Sequence, residues 1–78
     1  MTTEEKLKIL KSYGFIDILA GFRTTTIDLY RSSNLYGTRA YMRNSGNSIE
    51  EATDKLYYRL GNNIYRKIIE IYNENMLP

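Results

Sequence analysis

The chain of 78 residues has no cysteine, no histidine and no tryptophan, and a single proline. Without cysteine a disulfide framework is excluded, and without cysteine and histidine a structural zinc site loses its usual ligands. The same two absences remove the most nucleophilic side chain and the commonest general base. No phosphate loop of the GxxxxGK[ST] type occurs, and Gly37, Gly46 and Gly61 stand alone as turn or cap candidates. The carboxylates Glu4, Glu5, Asp17, Asp28, Glu50, Glu51, Asp54, Glu70 and Glu74 are scattered, with no pair spaced as a catalytic dyad or a divalent-metal cluster. A non-enzymatic protein with no cofactor and no metal is the expectation.

No apolar run approaches the roughly 20 residues that span a bilayer. The opening MTTEEKLK is acidic where a secretory signal needs a basic and then an apolar stretch. Together these features predict a cytoplasmic protein with no membrane partner. The formal net charge of +2 is too small to announce nucleic acid by itself. At this length the expectation is one domain over residues 1–78, burying a modest share of its surface. With disulfides and zinc excluded, self-association is the remaining source of extra stability, so a homo-oligomer is expected.

What is present is clearest from Ser48 to Tyr72. Ser48 followed by Glu51 has capping-box spacing and predicts a helix starting at Ile49. Ile49, Ala52, Leu56, Leu60, Ile64, Ile68 and Ile71 recur at about 100° per residue along one stripe, the predicted buried face. A second row, Tyr58, Tyr65 and Tyr72 with Ile69 nearby, repeats every seven residues on another side. It is the predicted oligomer interface, the alternative being tyrosines packed within their own chain. Gly61-Asn62-Asn63 combines a helix-ending glycine with asparagine N-caps, which leaves either one kinked helix or two helices.

Thr2 and Glu5 form a second capping box, opening a helix over Thr3 to Tyr13 that carries Leu7 and Leu10 and is closed by Gly14 in the left-handed conformation. Between the helices, the β-branched run at Thr24 to Ile27 and the turn-like Arg31-Ser32-Ser33-Asn34 predict a hairpin, Thr25 to Arg31 with Leu35 to Arg43. Phe15 to Leu19 can add a third strand, turning through Ala20-Gly21, so the sheet is expected to have two or three antiparallel strands. Phe15, Ile18, Leu19 and Phe22 also fit helical spacing, so the fold is α+β with an all-α helical hairpin as alternative. With strands, alternation puts Ile27, Leu29, Tyr36, Ala40 and Met42 toward the helices, and Thr26, Tyr30, Arg39, Tyr41 and Arg43 away from them.

The order helix, strands, helix resembles the layout of double-stranded RNA binding domains, and Gly46-Asn47-Ser48 with Ala52 is similar to the start of their second helix. That resemblance implies a sheet backed by helices. Where those domains present lysines to phosphate, this chain has Glu50 and Glu51, whose charge repels a duplex backbone.

From Arg23 to Arg43 four arginines, Arg23, Arg31, Arg39 and Arg43, face one acid, Asp28, and alternate with Tyr30, Tyr36 and Tyr41. Arginine forks and tyrosine rings are the enriched anchors of protein interfaces, and also suit phosphate and bases. The sequence therefore predicts a small binding protein that occupies a surface of a larger protein through Arg39, Tyr41, Arg43 and Tyr30. Such cofactor-free chains are common among inhibitors and adaptors, including those of phages and mobile elements. The alternative is a binder of single-stranded nucleic acid or of a nucleotide, using the same residues.

Overall fold

The two capping sites start the helices where expected. The computed structural model describes residues 1–32 and 39–76, with side chains over 1–31 and 41–71. Helix α1 spans Thr3–Tyr13, and Thr2 and Glu5 bond reciprocally as a capping box. Helix α2 spans Ile49–Leu60. Ser48 Oγ accepts from the Glu51 amide, but the Glu51 carboxylate turns to the amide of Asn47, 3.1 Å away, rather than closing the box on Ser48.

Between them run β1 (Phe15–Ala20), β2 (Thr25–Ser32) and β3 (Arg39–Gly46), an antiparallel sheet in the order β1-β2-β3. The fold is α+β, and the stretch that also fitted helical spacing is strand. Strand β2 runs past Arg31 to Ser32, and β3 continues to Gly46, three residues beyond the expected end. Residues 33–38, which include Leu35 and Tyr36 of the expected hairpin, lie outside the described residues, as does the side chain of Ala40.

The helices pack on one face of the sheet, α2 over β2 and β3 and α1 against α2 and β2. Ile27, Leu29 and Met42 meet Leu10, Ala52, Leu56 and Leu60 there, as the strand alternation and helix stripe require. Removing a leucine or isoleucine side chain of this kind from water contributes about 1.5–3 kcal/mol. That places most of the stabilisation between α2 and the sheet.

Glycine at position 14 serves a different purpose from the one expected. Its φ of 166° is extended, not left-handed, so any residue could adopt it. What demands glycine is space, because a Cβ there would stand 2.5 Å from the Tyr65 hydroxyl and 2.6 Å from the Tyr30 carbonyl oxygen.

The chain breaks at Gly61-Asn62-Asn63, so of the two options the structure has two helices. Gly61 remains right-handed, and the turn is closed by Asn62 and Asn63 amides donating to the Arg59 and Leu60 carbonyls. Asn63 Oδ1 then accepts from the Tyr65 amide at 2.8 Å, which starts α3 (Ile64–Met76). The interruption resets the helical phase, and this corrects the single stripe. Ala52, Leu56 and Leu60 are buried, while Ile49, in the first turn of α2, is exposed; beyond the break Tyr65 and Ile69 turn inward while Ile64 is 70%, Ile68 36% and Ile71 58% exposed.

Candidate functional site

Strand register builds the face of the sheet that none of the described helices covers. It pairs Phe15 with Tyr30 and Tyr30 with Tyr41. Directly opposed residues share a face, so three rings form one row across three strands. Phe15 and Tyr30 lie 5.8 Å apart, centroid to centroid, and tilted by 31°, within the range of favourable aromatic packing. Phe15 is 67% and Tyr41 56% exposed, which is far from the burial that large rings usually find. The next row along the strands is Asp17, Asp28 and Arg43, and the one after it Leu19, Thr26 and Ser45.

The middle row is electrostatically organised. Arg43 donates to both carboxylate oxygens of Asp28, at 2.6 and 3.0 Å, and the Tyr41 hydroxyl donates to the same carboxylate at 2.9 Å. Asp28 is only 8% exposed as a result. The Arg43 hydrogen bonds hold its carboxyl below the usual range, outweighing the burial that would raise it. In return Asp28 raises Arg43, and its bond to Tyr41 raises that phenol. Tyr30 is raised too, chiefly by the negative charge of Asp17 beside it and then by their hydrogen bond. Behind the sheet Arg59 of α2 donates to the Arg43 carbonyl at 2.8 Å, fixing β3 from the helix side.

Of the residues expected to bind a partner, Tyr30, Tyr41 and Arg43 are brought together on the open face. Arg39 starts β3 opposite Ser32, and its side chain lies outside the described residues. Arg43 differs from the expectation in one respect: its fork is already filled by Asp28. Arg23 lies in the β1–β2 turn over the Phe22 ring, 5.7 Å away. Arg31 is on the helix side, where it lines an open cleft of about 540 Å³ with Lys11, Ser12, Gly14, Phe15 and Ile16.

The expected oligomer row is divided. Tyr58 is 80% exposed, but Tyr65 and Ile69 are core residues at 3% and cannot present a surface, and the side chain of Tyr72 lies outside the described residues. The physical reason is the phase reset at Gly61-Asn63. The Tyr65 hydroxyl donates to the Tyr13 carbonyl at 2.9 Å, and burial pushes its phenol up to about 12.

Phe15 and Asp17 were not singled out by sequence reasoning. Their signal is the register of β1 on β2, which sets Phe15 beside Tyr30 and Asp17 beside Asp28. The start of α2 is acidic as read, with Glu51 ion-paired to Lys55. Among the described residues no group of three or more carboxylates, histidines or cysteines could hold a metal ion, and no helix is long and apolar enough to cross a membrane.

These features define a small α+β domain of order α-β-β-β-α-α, with a meander sheet covered on one face and aromatic on the other. Comparison with family models, with curated proteins and with solved structures gave no match.

Proposed function

We propose that the chain is a small non-enzymatic binding protein, an inhibitor or adaptor that occupies a surface of a larger protein with the open face of its sheet. The observation that carries this reading is the row Phe15, Tyr30 and Tyr41, exposed on one face of the sheet. Tyrosine and phenylalanine give contact area at low entropic cost and are enriched at interface centres. The charges beside the row favour protein over a polyanion. Asp17 and Asp28 stand against Arg43, one more negative than positive charge, and Arg43 is engaged by Asp28.

The test is binding to the native partner by the intact chain and by Phe15→Ala and Tyr41→Ala variants. Loss of binding with a retained fold supports the face, whereas undiminished binding by both variants overturns it. Single-stranded nucleic acid, the second reading, is favoured by the spacing of the rings, which suits base stacking. It requires affinity that falls steeply with added salt. Self-association belongs to the same proposal, through the exposed Ile64, Ile68 and Ile71 at spacings of four and three on α3 rather than through the tyrosine row.

A further inference from the structure

Strand β1 is an edge, paired with β2 on one side only among the described residues. Exposed edges are usually blunted with lysine, proline, a bulge or a covering segment. Over Phe15–Ala20 there is no lysine and no proline, and the six residues pair one-to-one with β2, so there is no bulge. Five of the six residues are exposed, including Phe15, Ile18 and Leu19. The one charge is Asp17. None of the ion pairs among the described residues involves it, and the neighbouring Arg43 is taken by Asp28. Among the described residues, a carboxylate with no ion-pair partner, hydrogen-bonded to Tyr30, therefore lies between two apolar side chains, Phe15 and Leu19, on the same face of this edge.

Resting on the reading of this face as protein-binding, we propose that the partner supplies an extended segment that joins the sheet as a fourth strand beside β1, with a lysine or arginine opposite Asp17. Directly opposed side chains are the unit of strand recognition, which dictates the pattern. The segment carries an apolar residue opposite Phe15, the basic residue two positions on, and another apolar residue two further on, opposite Leu19. Main-chain hydrogen bonds hold it, and the alternate side chains select it. A second copy fits less well, because antiparallel pairing centred on Asp17 sets two carboxylates face to face. Lys11 and Arg31 lie on the other side of the sheet, beyond Ile16, so the preference for a cation is confined to the Asp17 side.

The test titrates the isotope-labelled full chain with a synthetic peptide, acetyl-Thr-Val-Thr-Lys-Thr-Val-Thr-amide, whose symmetric pattern suits either strand direction. Amide shifts at Phe15–Ala20, with affinity weakened about three- to five-fold by lysine-to-threonine replacement and more by glutamate, support the proposal. Moving the lysine by one residue puts it on the opposite face and should cost as much. Asp17→Lys should reverse the preference to the glutamate peptide, and a peptide N-methylated at every residue should not bind. Equal affinity for the lysine and glutamate peptides, absence of shifts at β1, or dilution-dependent shifts at β1 without peptide, meaning that a second copy takes the edge, would each overturn it. Tyr41 lies two strands from the edge. If native-partner binding is lost in Tyr41→Ala while no peptide binds β1, only strand addition fails and the aromatic-face reading stands.

Discussion

The Tyr65 hydroxyl reaches across from the third helix to the carbonyl of Tyr13, and Gly14 is the residue that makes room for it. With the Tyr13 hydroxyl donating to Glu70 at 3.4 Å, this bond ties the end of α1 to α3, at a point where any side chain larger than hydrogen would collide. Gly14→Ala should destabilise the domain by about 1–3 kcal/mol through overpacking. Tyr65→Phe should cost about 1 kcal/mol for the lost hydrogen bond. In the double variant the methyl has lost one of its two collisions, so the costs should fall short of adding. Urea unfolding of the four proteins measures this, and strict additivity would contradict the contact.

The same tyrosine predicts an alkaline limb. Folded Tyr65 keeps its proton to about pH 12, whereas an unfolded tyrosine releases it near pH 10. Its contribution to stability is therefore complete below about pH 10 and is lost as pH rises towards 12. Thermal melts across that interval should fall more steeply for the parent than for Tyr65→Phe.

Asp28 predicts the opposite limb. Its carboxyl is held below the ordinary value by Arg43, so the stabilisation is present above about pH 4 and is lost as pH falls through the lowered value. Asp28→Asn should be less stable than the parent at pH 7 by about 2 kcal/mol, the scale of hydrogen bonds to a charged group. The gap should narrow at pH 2–3. A constant gap from pH 7 to pH 2 would argue that shape rather than charge is at stake.

Replacing Ile64 and Ile71 together by glutamine should leave stability within about 0.5 kcal/mol, as expected of surface positions. If this stripe joins copies, light scattering should give the mass of one chain for the variant at concentrations where the parent is larger. Equal masses would remove the stripe from self-association.

Residues whose neighbours are local were legible in the sequence. Thr2 with Glu5, and Ser48 with the amide of Glu51, act within one helical turn, and the strand alternation of Ile27, Leu29 and Met42 follows from period two. What escaped depended on distant parts of the chain. A break of three residues turned α3, and no periodicity count across Gly61 could foresee that Tyr65 and Ile69 would replace Ile64 and Ile68 in the core. Asp28 looked like the lone acid among arginines. Only the β2–β3 register makes it the partner of Arg43, and only the β1–β2 register adds Phe15 and Asp17 to the face.

The three-residue interruption also sets how the molecule comes apart. Among the described residues Tyr65 and Ile69 are the buried anchors of α3, whereas α2 is set into the sheet along its length. The third helix is therefore expected to open ahead of the rest, and its amides should exchange with deuterated solvent well before those of β2. Each such opening would bare the Tyr13 carbonyl and the backbone at Gly14, next to the start of the free edge.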